Sequence, residues 1–120
     1  MLIMVVDDSA AMRLIVQKTL REAGFDGHTI KEAEDGAKAL EMIMEEEPDL
    51  ILCDWNMPNM TGPELLQALN NEGCEAIFGF VTTEATAAMR EKANQLGADF
   101  LISKPFTSQD FEDALNEFLE

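Results

Sequence analysis

Short, continuously apolar runs alternate along this chain with longer stretches in which apolar positions recur every three or four residues. The apolar runs are Leu2–Val6, Leu50–Cys53, Ala76–Val81 and Phe100–Ile102, and a more polar segment near Thr29–Ala33 has the weakest signal. Near-continuous apolar runs of this length predict strands covered on both faces, as in a parallel sheet.

The segments between them predict helices. Met12, Ile15, Val16 and Ala23 form one stripe, closed by Gly24. Ala39, Leu40, Ile43 and Met44 form a second, with Pro48 just beyond. Pro63 suits the first turn of a third helix that turns Leu65, Leu66 and Leu69 inward. Ala85, Ala88, Met89 and Leu96 line a fourth, closed by Gly97. Phe111, Ala114, Leu115 and Phe118 line a fifth, with Thr107 or Ser108 as its N-cap. Five β-α units in series imply an α/β fold, a parallel sheet with helices on both faces, in one domain spanning residues 1–120. No linker, repeat or low-complexity segment interrupts it.

Sites in open α/β sheets lie beyond the carboxyl ends of the strands. The polar residues there are Asp7-Asp8 after the first run, Asp54 after the third, Thr82-Thr83 after the fourth and Ser103-Lys104-Pro105 after the fifth. Each has a bland reading: Asp7, Asp8 and Ser9 as helix caps, Asp54 as a turn residue, Thr82 as a cap, Lys104 as a loop lysine. Four strand ends on one edge make coincidence a poor explanation. Clustered carboxylates repel unless a cation lies among them. Oxygen donors of this kind suit Mg²⁺, which takes one or two carboxylates and keeps several waters. Lys104 and Thr82 could stabilise a phosphoryl group on a carboxylate nucleophile at Asp54.

Charge narrows the function classes. The 120 residues have a formal net charge of −16, with 8 Lys and Arg against 24 Asp and Glu. That opposes phosphate-backbone and anionic-membrane binding and suits a metal or a partner with a basic face. No apolar run approaches the roughly 20 residues of a bilayer span, and the opening run is too short for a signal peptide. The expectation is a cytoplasmic protein with no nucleic-acid partner and no membrane insertion. Cys53 and Cys74 lack metal or redox spacing, and Cys53 reads as a buried small hydrophobe. His28 has no companion at ligand spacing and reads as a surface histidine.

The motifs Val5-Val6-Asp7-Asp8-Ser9, Asp54-Trp55-Asn56-Met57-Pro58-Asn59-Met60 with Gly62, Thr82, Gly97-Ala98 and Lys104-Pro105-Phe106 occur in order over the whole chain. In them the sequence resembles the receiver domain of two-component response regulators, and within that family its stand-alone chemotaxis members. The resemblance implies a doubly wound, flavodoxin-like sheet of order 2-1-3-4-5 with five helices, an order carried over from the family. It implies Asp54 as phosphoacceptor, with Lys104 and Thr82 contacting the phosphoryl group. It implies Mg²⁺ held by Asp8, Asp54 and the backbone carbonyl of Asn56, and by Asp7 through water. The Lys104–Pro105 bond is expected to be cis. The implied donor is a phosphohistidine on a CheA-like sensor histidine kinase, and the output surface is the face of the fourth helix, fifth strand and fifth helix.

Three positions depart from the family pattern. Leu101 stands where Tyr or Phe usually turns inward with the threonine, and Phe100 precedes it. Thr83 stands where Ala or Gly is usual, followed by Glu84; the bland reading is that both only cap the fourth helix. Thr86, Ala87 and Arg90 occupy a helix face that flagellar members make more basic. The leading expectation is a phosphorylation-controlled binding module in chemotaxis, not an enzyme, with no attached output domain. A phosphate sink or shuttle is the alternative. An Mg²⁺-dependent aspartyl phosphohydrolase is the remote one, for want of a cap domain and substrate motif. A flavin protein of the same topology is disfavoured, because Asp7-Asp8 replaces a phosphate-cradling first loop.

Overall fold

The computed structural model describes residues 1–118. Five strands and five helices alternate: β1 (Leu2–Val6), α1 (Ala10–Glu22), β2 (Thr29–Ala33), α2 (Gly36–Glu45), β3 (Leu50–Asp54), α3 (Gly62–Asn71), β4 (Ile77–Thr82), α4 (Ala87–Gln95), β5 (Phe100–Ser103) and α5 (Ser108–Leu115). All pairings are parallel, in the order β2-β1-β3-β4-β5. The expected fold and strand order are therefore the observed ones.

Alternation along each strand divides the interior into two cores. Met4, Val6, Ile51, Cys53, Phe78 and Phe80 point towards α2, α3 and α4. Ile3, Val5, Leu50, Leu52, Val81 and Ile102 point towards α1 and α5. Cys53 is fully buried, as its apolar neighbours suggested. β5 splits the same way: Leu101 packs on the first core and Phe100 on the second. The Phe100 ring lies across Gly79, its register partner in β4, where no side chain would fit.

Four stripe residues are corrected. Ile15 is 48% exposed, because the buried line of α1 runs through Val16, Thr19 and Leu20. Thr19 can be buried there because its hydroxyl donates to the Ile15 carbonyl at 2.8 Å. Met44 is exposed near the end of α2, beyond the buried Ala39 and Ile43. In α4 the buried residue is Ala93, while Ala88 faces outward and Ala85 precedes the helix. An alanine-rich helix offers little contrast between its faces.

Side-chain caps set where the helices start. Ser9, Asp35, Thr61, Thr86 and Thr107 each accept a hydrogen bond from the first turn, and Thr61 and Thr107 complete capping boxes with Glu64 and Asp110. The cap of α4 is thus Thr86, not Thr83 or Glu84. Among the described residues no helix is long and apolar enough to cross a membrane.

Candidate phosphoacceptor site

Parallel strands deliver their carboxyl ends to one edge, and β1, β3, β4 and β5 each end in a polar residue there. Asp7, directly after β1, is buried, while its neighbour Asp8 is exposed. Asp54 closes β3 beside Val81 of β4. Carboxylate oxygens of Asp7, Asp8 and Asp54 all lie within 4.8 Å of one another. Lys104 reaches in from the end of β5, its Nζ 3.0 Å from Asp7 Oδ2 and 3.5 Å from Asp54 Oδ1. The ammonium side chain is only 10% exposed, so the pairing operates where water screens it weakly.

Thr82 is buried at the end of β4, in register with Ser103. Its carbonyl accepts from the Lys104 backbone N–H at 2.7 Å, and its hydroxyl accepts from the Glu84 N–H at 3.3 Å. The Lys104–Pro105 peptide bond is cis. Thr83 and Glu84 are exposed beside this edge, and so is Asn56, on the loop after Asp54.

Burial raises the Asp54 carboxyl above its ordinary value; Lys104 opposes the rise, the charge of Asp7 adds to it, and the Trp55 N–H bond to Oδ1 at 2.8 Å opposes it again. The Asp54 carboxylate is thus incompletely compensated. Directly behind it, burial pushes the Cys53 thiol well above the ordinary thiol range, and the charges of Asp54 and Asp7 push it further. That leaves Cys53 a packing residue rather than a nucleophile.

The donor set fits a hard divalent cation. It consists of carboxylate oxygens, Asp8 is open to solvent, and the cluster carries three negative groups against one ammonium. Spacings of up to 4.8 Å leave room for waters in the ion's shell.

Three supporting residues were not visible in the strand-end pattern. Arg13 Nη1 donates to the Asp7 carbonyl at 2.7 Å while its Nε pairs with Glu32 at 2.9 Å. Asp35 and Asn59 hydrogen-bond to each other at 2.8 Å beside the loop that follows Asp54. Asp35 carried a legible signal as an acidic residue ahead of a helix. Arg13 carried none, and Asn59 stood in the Asp54–Met60 motif with nothing in the sequence to name Asp35 as its partner. Gly62 also has a definite reason: the Asp54 carbonyl and the Phe80 ring occupy the space a side chain would need.

Comparison with known proteins agrees with this geometry. The description of the response regulator receiver domain matches residues 3–116. The chain is 37% identical to chemotaxis protein CheY of Pseudomonas aeruginosa, covering all of this chain and 97% of that protein. It is 36% identical to chemotaxis protein CheY-3 of Vibrio cholerae, covering all of this chain and 92% of that one. The structure of Vibrio cholerae CheY4 superposes with a TM-score of 0.85 at 30% identity, over 98% of both chains. An acidic pocket at the strand ends, closed by a lysine from β5, within a fold and a sequence match that both run nearly end to end, places this chain in the response regulator receiver domain family.

Proposed function

We propose that this receiver accepts a phosphoryl group on Asp54 from a histidine-kinase phosphohistidine, in an Mg²⁺-dependent reaction, and thereby changes its affinity for a downstream protein. The observation that supports it most is Lys104 Nζ lying between Asp7 and Asp54, with three carboxylates gathered at the same edge. Asp54 Oδ1 already carries the Trp55 N–H and the Lys104 contact, so Oδ2 is the oxygen we assign as nucleophile. As Oδ2 bonds to phosphorus, the histidine nitrogen leaves with the electron pair of the broken P–N bond. Lys104 turns from the carboxylates to the phosphoryl oxygens, and the Thr82 hydroxyl donates a hydrogen bond to them. Asp8, Asp54 and the Asn56 carbonyl would hold Mg²⁺ directly and Asp7 through water; the ion supplies charge that offsets the crowded carboxylate and phosphoryl oxygens.

These relatives are chemotaxis proteins by name, and this chain spans nearly their whole length, which supports a chemotaxis role with a CheA-like kinase as donor. It is a phosphoacceptor that also loses its own phosphoryl group slowly, not a turnover enzyme, and we place it in the cytoplasm. The output surface is the α4-β5-α5 face, where a groove of about 410 Å³ runs between Arg90, Leu101 and Asp113. A phosphate sink or shuttle is favoured by one feature: Leu101 offers no ring to couple Thr82 to that face. Capture experiments against kinases and switch proteins, with the lifetime of the phosphorylated state, separate the two readings.

The test is incubation with a small acyl phosphate and Mg²⁺, followed by intact-mass analysis. One phosphoryl adduct is expected, absent in Asp54→Asn and without added Mg²⁺. Trp55, the single tryptophan, adjoins Asp54, so its emission is expected to change with Mg²⁺ and again with the donor. An adduct on Asp54→Asn, or no adduct at all, overturns the assignment.

A further inference from the structure

We infer that Asp35 and Asn59 form a clamp that positions the loop after Asp54 for metal binding, an inference that deepens the proposed function and rests on it. The loop carries Asn56, whose main-chain carbonyl is assigned to the ion. A carbonyl has no rotamers with which to adjust, so the path of the loop alone sets its position. The base of the loop is closed by the Gly62 N–H, which donates to the Trp55 carbonyl at 2.9 Å. Its far side has no strand or helix of its own to hold it.

The clamp supplies that hold. Asn59 adopts φ 66°, the left-handed region that asparagine tolerates better than most residues. From there its Nδ2 donates to Asp35 Oδ2 at 2.8 Å. The other oxygen, Asp35 Oδ1, accepts the Lys38 N–H at 2.7 Å and so caps α2. One carboxylate thus joins the start of α2 to the metal loop. Alongside it the Gly36 N–H donates to the Met60 carbonyl at 3.3 Å. A Cβ on Gly36 would come within 2.5 Å of that carbonyl, so the loop and the helix start meet with no space between them. Asp35 is 9% exposed, while Asn59 lies open to solvent, so the bond sits at the protein surface. The hydrogen bonds from Lys38 and Asn59 hold its carboxyl below the ordinary range, so the clamp is charged at neutral pH.

If Asp35 were only a helix cap, its loss would lower stability and leave the ion's affinity alone. Two variants separate these roles. Asn59→Gly keeps the left-handed backbone and removes the amide. Asp35→Ser keeps a capping oxygen and removes the second one that Asn59 needs. Mg²⁺ is titrated into each, and into the double variant, with Trp55 emission as readout. Adduct formation is measured against Mg²⁺ concentration, and amide hydrogen exchange of residues 56–60 is followed without metal.

Each single variant is expected to weaken Mg²⁺ binding by about tenfold, the lower end for residues that orient metal ligands. The double variant should be no weaker than either single one. The rate at saturating Mg²⁺ should hold while the half-saturating concentration rises. The loop amides should exchange faster in all three. Unchanged Mg²⁺ affinity with unchanged exchange, or additive losses in the double variant, overturns the clamp. Absence of any Mg²⁺ response in the unaltered protein would instead overturn the proposed function, and the exchange of the loop amides would still decide whether the clamp exists.

Discussion

Every polar group of Asp7 has a partner. Its N–H donates to the Ala33 carbonyl at 3.1 Å, and its carbonyl accepts from Arg13 at 2.7 Å. Oδ1 accepts the Ser9 N–H at 2.9 Å and Oδ2 accepts Lys104 Nζ at 3.0 Å. A residue so engaged suits an indirect contact with the ion through water, while exposed Asp8 suits a direct one. Lys104 is the counter-charge for buried Asp7 and part-buried Asp54, so Lys104→Ala leaves them uncompensated. We expect it to destabilise the metal-free protein by roughly 3 kcal/mol, as when a buried pair loses one member. Mg²⁺ should restore part of that by supplying charge at the same place. Adduct formation should slow by about 10²-fold with Mg²⁺ present, because the developing phosphoryl charge loses its fixed cation. Thermal melts with and without Mg²⁺, beside the adduct time course, check both. The ion pair is not local: Lys104 and Asp7 lie 97 positions apart. The strand-end argument brought them to the same edge, but not to the same oxygen.

At the scale of elements, legibility followed contrast. β1, β3 and β4 are buried on both faces and were read from unbroken apolar runs. β2 sits at the sheet edge, where Lys31 and Glu32 are tolerated, and its signal was correspondingly weak. α4 was misphased because alanines mark its inner and outer faces alike. In α1 the stripe of Met12, Val16 and Ala23 does face the core, and only Ile15 was misplaced, because Thr19, bonded to its own helix, takes a core place. The clamp between α2 and the β3–α3 loop was beyond reach, since Asp35 and Asn59 become partners only when the elements are packed. It also has a pH signature. The folded-state carboxyl of Asp35 lies below its ordinary 3.8, held down by the Lys38 and Asn59 hydrogen bonds and by the charge of Lys38. Its stabilising contribution is therefore complete above that ordinary value and is lost as pH falls through the folded one. Asp35→Ser should show a shallower loss of stability with falling pH across that acid window, measured by denaturant titration. A slope equal to that of the unaltered protein would mean that Asp35 gains nothing from its partners.

For the whole molecule, a charge of −16 is confined to a body of about 33 × 33 × 27 Å. At roughly 10 mM ionic strength the screening length is about 30 Å, so charges across the entire protein repel one another; at roughly 150 mM it is about 8 Å. The melting temperature should therefore rise with NaCl even without a divalent ion, by calorimetry at neutral pH. A flat response would mean that local pairs such as Arg13–Glu32 already balance the surface. The division of the interior into two cores has a consequence for what can be seen. The Trp55 ring packs 4.7 Å from Phe80, in the core shared with α2, α3 and α4. The opposite core, where Phe106 packs against Phe111 and Phe100 against Phe118, holds no tryptophan, and the chain has no tyrosine. Emission from this protein is thus a one-sided witness. It reports most directly on the core against which Leu101 packs and less directly on the core against which Phe100 packs. A silent titration would therefore speak only for the surroundings of Trp55 and Phe80, and a second probe near Phe111 would be needed to observe the other core.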